Sequence, residues 1–266
     1  MSEPILMDLS DGILTLTLNR AETRNPISDG DMINALIDAL AVADEDMLVR
    51  VVILTGAGRA FSSGGNLKKM GKGEGLYDPL PAQTRRNYRS GIQRLPLLFE
   101  SLEVPVIAAV NGAAIGAGCD LCCMCDIRIA AESASFAESF VKVGLVPGDG
   151  GAWLLPRIVG FSKACEMALT GDALSAQEAL RCGLVSAIVP DADLPDHARN
   201  LAARIAANPT HVVRMTKRLL REAGNANLTA VLEMSAAMQA IAHATEDHEE
   251  AVSAMLSKRP PVFRDR

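Results

Sequence analysis

A chain of 266 residues has room for one large α/β domain, or for a domain with an appendage. Nearly half the residues are apolar (49%) and 22% are charged, which sustains a sizeable core and argues against disorder. The net charge of −6 argues against nucleic acid as the main partner, while leaving room for an anionic small molecule held by a few local Arg and Lys.

The first residues, MSEPILMDLSDG, are acidic and lack the apolar stretch of a secretory signal. No run approaches the roughly 18 apolar residues of a membrane span, so the expectation is a cytoplasmic protein without a membrane partner. ILTLTL (13–18) reads as a strand. Residues 28–49 read as a helix, opened by a capping-box-like Ser28 with Asp31 three residues on. VVIL (51–54) is a buried strand. The Gly- and Pro-rich stretch 70–81 is a loop, and 82–102 has helical spacing. VPVIAAV (104–110), CDIRIA (125–130) and 184–189 are further strands, with a helical pattern over 173–182. Strands alternating with helices imply parallel pairing in an α/β architecture. From about 197 onward the pattern is helical (197–223, 226–244 and 246–257), with breaks near Pro209, Gly224 and Thr245. This gives a core over 1–196 and a helical region over 197–266 that serves as a cap or an oligomerisation element.

Four of the six cysteines crowd into CDLCCMC (119–125). A zinc cluster is one reading. Cys119, Cys122 and Cys123 fall at helical spacing in an apolar run with no histidine near, which favours small buried thiols and no metal. All four histidines lie at 197 or beyond, far in sequence from the glycine turns, which argues against a His-based triad.

VVILTGAGRAFSSGGNL (51–67) and PVIAAVNGAAIGAGCDL (105–121) share one plan: buried strand, glycine, loop, a pair of small residues, a polar residue and Leu. Each plan opens a helix after a glycine turn, and helix openings present unpaired N–H groups. A dinucleotide fingerprint fails, because position 121, where the third glycine belongs, is Leu; a Walker loop fails because no G-K-[ST] occurs. A reacting carbonyl fits better. Gly65 and Ala117 would each aim one N–H at its oxygen, and Asp120, one turn into the second helix, would stand beside the polarised group. Taken singly, each turn is also what tight helix–sheet packing with a solvated Asp asks for; the pairing favours the carbonyl.

The blocks LNRAETRNPIS (18–28), 51–67, NGAAIGAGCDLCCMCDIRIA (111–130) and VGLVPGDGGAWLLPRIVG (143–160) resemble the signature blocks of the crotonase superfamily, the enoyl-CoA hydratases and isomerases. The resemblance runs from about residue 5 to the C-terminus. It implies an α/β crotonase-like spiral of repeated ββα units and a C-terminal helical trimerisation region, hence a homotrimer or homohexamer. It also implies coenzyme A as part of an acyl-CoA thioester substrate, with no tightly bound cofactor. By the same resemblance Gly65 and Ala117 supply the two oxyanion N–H groups. Arg24 and backbone groups of Ala60, Ser62, Gly65, Asn66, Leu67 and Lys68 fall in the CoA-binding segments. Lys258 matches a C-terminal lysine that reaches CoA on a neighbouring subunit.

The pattern breaks at one place. Hydratases of the family carry two glutamates; the first matches Asp120 and the second falls at Phe140, which can neither orient water nor deliver a proton. Glu138, two residues earlier, and Asp149, in PGDGG, are the acids close by. A double-bond shift needs only one carboxylate, which favours an enoyl-CoA isomerase using Asp120, alone or with Asp149. The alternatives are a hydratase using the displaced acids Asp120, Asp149 and Glu138, or a CoA-thioester binding protein with little catalysis. Phe140, Trp153, Met70 and the 70–81 loop are expected to shape an apolar acyl pocket.

Overall fold

The computed structural model describes residues 3–70 and 75–266. The long apolar runs become the large sheet, in the order β1-β2-β3-β5-β7-β10. β1 (Ile5–Ser10) pairs antiparallel with β2 (Ile13–Leu18), and the remaining pairings are parallel. β3 (Val51–Gly56) is buried along most of its length, as a parallel strand covered on both faces must be. From the end of β3 the chain enters a second sheet through β4 (Ala60–Ser62). The same step recurs from β5 (Val106–Val110) to β6 (Ala113–Ile115), and from β7 (Ile127–Ala131) to β8 (Ser135–Ala137). Those second strands pair β4-β6-β8-β9, with β9 (Leu174–Ser175) antiparallel at the edge; β10 (Ala187–Val189) closes the large sheet. The internal echo in the sequence is therefore a structural repeat, two strands and a turn per unit, wound into the crotonase spiral.

Helices fill both sides. The inner face of the large sheet, with Leu14, Leu16, Leu18, Val52 and Leu54, packs on α1 (Gly30–Glu45), α3 (Arg94–Ser101) and α4 (Ala117–Met124), together with Phe61 and Phe136. The expected helix over 82–102 is two: α2 (Pro81–Ser90) ends at Gly91, and α3 begins at Arg94. α5 (Gly151–Val159) and α6 (Phe161–Thr170) follow, and the expected helix over 173–182 is β9 plus α7 (Ala176–Arg181), capped by Ser175 and Glu178 in a reciprocal box. The outer face, with Ile13, Val51, Ile53, Ile107 and Ile129, is covered by α8 (Leu194–Ala206) through Leu194, Ala198 and Ala202. The helical region thus begins on the core itself.

α9 (Thr210–Ala223) is held by buried cations rather than by apolar contact. Lys217 Nζ donates to Val104 O at 2.7 Å and pairs with Asp126 at 2.8 Å, and Arg221 pairs with Asp126 at 2.7 Å. α10 (Leu228–His243) and α11 (Glu246–Leu256) instead leave apolar side chains outside: Leu228, Leu232, Ile241, Met255 and Leu256 are all exposed. No helix among the described residues is long and apolar enough to cross a membrane.

Candidate active site

The site is built where the spiral places two of its turns side by side. After β4 the chain turns at Gly64, whose φ of +76° is left-handed; after β6 it turns at Gly116, φ +53°, into α4. A Cβ at Gly64 would stand 2.9 Å from the Ala117 nitrogen and overlap the Ile115 carbonyl oxygen, so the two turns touch backbone to backbone. α4 opens at Ala117, whose N–H therefore has no partner within its helix.

Asn25, fully buried in the first signature block, fixes the first turn. Its amide donates to the carbonyls of Ala57 and Ala60 at 2.9 Å, and its Oδ1 accepts from Arg20 N at 2.8 Å. Ser62 Oγ donates to Asn25 O and accepts from Gly64 N. Ser28 does not cap α1, whose N-cap is Asp29; its hydroxyl accepts from Asn66 N at 2.9 Å instead. Asp29 takes Asn66 Nδ2 and Lys69 Nζ, both at 3.0 Å. The start of the first long helix thus braces the turn that carries Gly65.

A cavity of about 110 Å³ opens at this junction. Gly65, Gly116 and Ala117 form one side, and Met70, Leu76, Tyr88, Ile92, Ile115, Phe140 and Leu145 make it apolar. The Phe140 ring packs within ordinary contact of Gly116, where a Cβ would meet its edge at 3.7 Å. Among the described lining residues, Asp149 is the acid. A neighbouring cavity of about 130 Å³ shares Ser28, Met70, Leu76, Tyr88 and Leu145, and continues to Asn66 and Lys69. Trp153 lies elsewhere: it lines a separate groove of about 590 Å³ beside α9, with the Arg157 guanidinium 3.9 Å over its ring. Helical phase explains this, since Gly151 at the start of α5 packs against the Asp120 carboxyl and Trp153, two residues on, points to another flank. Of the 70–81 loop, Met70, Leu76 and Tyr77 line these cavities, and residues 71–74 lie outside the described residues.

Three carboxyl groups meet behind the cavity wall. Asp120 is 0%, Glu138 1% and Asp149 2% exposed, and both oxygens of Asp120 and Glu138, with Asp149 Oδ1, find no donor. Asp120 sits in the middle, its carboxyl against both Glu138 and Asp149. Two carboxylates offer each other only acceptors, so these contacts become hydrogen bonds only when a proton lies between them. Burial drives all three upward. Asp120 is pushed well above the usual carboxylate range by desolvation and then by the Glu138 charge. Asp149 rises likewise by desolvation and then by Asp120. Burial lifts Glu138 to about 7, although its contact with Asp120 pulls downward. Tyr88, on α2, faces Asp149; burial first and the Asp149 charge second push its phenol up. Nothing in its helical stretch marks Tyr88 as a site residue, because its partner lies far along the chain in another unit of the spiral.

The remaining candidates spread over the surface around the first turn. Arg24, in a left-handed conformation, Leu67 and Lys68 are exposed; Ala60 and Ser62 are buried strand residues that offer only backbone. Lys258 is exposed beyond α11, outside the cavity lining. The four clustered cysteines are buried thiols of α4 and its end.

A spiral of two-strand units, adjoining glycine turns and a small apolar cavity with one acid among its described lining residues together define a crotonase-type fold and site. The chain belongs to the enoyl-CoA hydratase/isomerase family of the crotonase superfamily, whose model matches residues 8–266. It is 39% identical over 264 residues to the 1,2-epoxyphenylacetyl-CoA isomerase of Escherichia coli (strain K12), covering 99% of both chains. It is 38% identical to a probable enoyl-CoA hydratase of Rhodobacter capsulatus, with 98% of each covered. The solved enoyl-CoA hydratase of Bacillus anthracis superposes with a TM-score of 0.91 at 34% identity, over 99% of this chain and 100% of that one. The protein is thus an acyl-CoA enzyme of this family.

Proposed function

We propose that the protein is an enoyl-CoA isomerase that shifts a double bond through a thioester enolate. The N–H groups of Gly65 and Ala117 hold the thioester oxygen, each donor contributing roughly 3 kcal/mol as charge develops there. Asp149 removes a proton from the α-carbon and returns it to the γ-carbon; the C–H electron pair passes into the enolate and then into the new double bond. The observation that carries this reading is the single acid on the described cavity wall, with Phe140 beside Gly116. Hydration requires one group to activate water and another to deliver a proton, and an apolar ring at position 140 supplies neither. The similarity to an isomerase of an epoxyphenylacetyl thioester supports the same class, and a small apolar cavity suits a short or compact acyl group.

Asp120 acts in this scheme through Asp149, which stands between it and the cavity. Arg24, Lys68 and the backbone from Ala60 to Lys68 bind the CoA moiety, and Lys258 completes the CoA site of a neighbouring copy. The apolar side chains left outside on α10 and α11 support a homotrimer, or a hexamer of two trimers. A panel of 3-enoyl, 2-enoyl and saturated acyl-CoAs, assayed by product analysis, tests the reading: 3-enoyl-CoA converts to 2-enoyl-CoA faster than any is hydrated or hydrolysed. Hydration as the dominant reaction overturns it.

A further inference from the structure

The carboxyl of Glu138 has no role in a one-acid mechanism, yet it is buried at the end of β8 with both oxygens lacking a donor. Keeping an unsatisfied acid in the interior costs stability unless it serves the site. Its neighbours make a chain. Glu138 lies against Asp120, Asp120 against Asp149, and Asp149 lines the cavity. The geometry around Asp120 is closed: a Cβ at Gly151 would overlap its carboxyl oxygens, so the first residue of α5 has to be glycine for the chain to exist.

We propose that Glu138 is a positioning residue for the isomerisation: it carries the resting negative charge of the three-carboxyl chain and exchanges a proton with Asp120, which lets Asp149 alternate between base and acid. This rests on the isomerase reading above. The chain holds two protons and one charge at rest, because three adjoining buried carboxyls cannot all ionise. With the charge on Glu138, Asp149 is protonated and cannot act as base. Transfer of the Asp149 proton to Asp120, and of the Asp120 proton to Glu138, moves the charge to the cavity wall without changing the proton count. Asp149 then takes the α-proton, the chain is neutral, and the charge sits on the thioester oxygen. Delivery of a proton from Asp149 to the γ-carbon restores the charge to the chain.

Among the described residues, the groups facing Glu138 are acids or thiols: Asp120, Cys119 and Cys123 from α4, and Asp149 from the turn before α5. Tyr88 of α2 faces Asp149 from the cavity, and the cation of this region, Arg128 of β7, faces Cys122 and Cys123. No cation therefore fixes the charge on Glu138 among the described residues, which leaves it able to move. Burial lifts Glu138 to about 7, which accords with its carrying the charge in neutral solution.

The test compares pH–rate profiles of wild type, Glu138→Gln and Glu138→Asp, following deuterium exchange at the α-carbon of a saturated acyl-CoA. The wild-type acid limb is expected near pH 7. Glu138→Gln removes the resting site of the charge together with its upward push on Asp120, so the limb leaves its wild-type position by about one pH unit or more. Glu138→Asp restores an acid and brings the limb back toward wild type. A Glu138→Gln enzyme that is slower but keeps the wild-type limb has lost only packing, and overturns the proposal. Infrared titration of the wild-type protein gives a second reading that needs no variant: one buried carboxylic acid C=O band disappears with a midpoint near pH 7, and its absence overturns the proposal. Wild-type enzyme that exchanges no α-proton at any pH overturns the isomerase reading; exchange with an unmoved limb overturns the role of Glu138 alone.

Discussion

Gly64→Ala perturbs the active site without touching an acid or a CoA-binding side chain. The new methyl group would lie 2.9 Å from the Ala117 nitrogen and overlap the Ile115 carbonyl oxygen, so one of the two turns has to withdraw by about 1 Å to reach ordinary contact. The left-handed φ of +76° adds about 1 kcal/mol of backbone strain for alanine. A shift of that size takes an N–H out of reach of an oxyanion, at a cost of roughly 3 kcal/mol or about a hundredfold in kcat. The assay is steady-state kinetics on a 3-enoyl-CoA, with thermal melting and CoA calorimetry on the same preparation. We expect kcat to fall by about a hundredfold or more while Kd for CoA stays within a few fold. Gly144→Ala is the control, because it is left-handed at φ +71° and ψ 24° with nothing within 4 Å of the added carbon; it carries backbone strain without a clash and should keep kcat near wild type. A folded Gly64→Ala enzyme with wild-type kcat refutes the claim that the contact of the two turns sets the donor geometry.

Stability should also depend on Glu138. Its folded value of about 7 lies above the ordinary 4.5, so its contribution to stability is complete below about pH 4.5 and is lost as pH rises through 7, a change of about 3 kcal/mol. Urea denaturation should therefore show Glu138→Gln gaining on wild type by about that amount across the window, and parallel curves would contradict it. CoA affinity should weaken with added salt, and Arg24→Ala or Lys258→Ala should each weaken binding by about 1 kcal/mol; binding that ignores both substitutions removes them from the CoA site. Sedimentation should find a trimer or hexamer at micromolar concentration, and a chain ending near residue 240 should lose both assembly and CoA affinity; a stable full-length monomer contradicts the assignment of α10 and α11 to the interface.

Long apolar strands and glycine turns announce themselves in sequence because their physical demands are local. Val51–Gly56 and Val106–Val110 are apolar runs that suit a parallel strand covered on both faces, Ile13–Leu18 alternates as a strand, and Gly64 and Gly116 sit where φ is positive. β4, β6 and β8 escape periodicity because three residues carry no period. Ser28 satisfies the pattern of a helix cap, but a competing acceptor requirement at Asn66 N takes its hydroxyl. The acids are legible as candidates and their order is not: α4 turns Asp120 inward, so Asp149 occupies the wall between it and the cavity. Tyr88 and Trp153 depend on helix phase relative to distant elements, which no local window contains.

The central claim is that Asp149, facing two amide donors, moves a proton at the α-carbon. Its most direct measurement is deuterium incorporation at that carbon when a saturated acyl-CoA is incubated with enzyme in deuterated water, for wild type and Asp149→Asn side by side. Wild type should exchange, and Asp149→Asn should exchange at least about a hundredfold more slowly while binding CoA as before. Asp149→Asn exchanging at the wild-type rate contradicts the account.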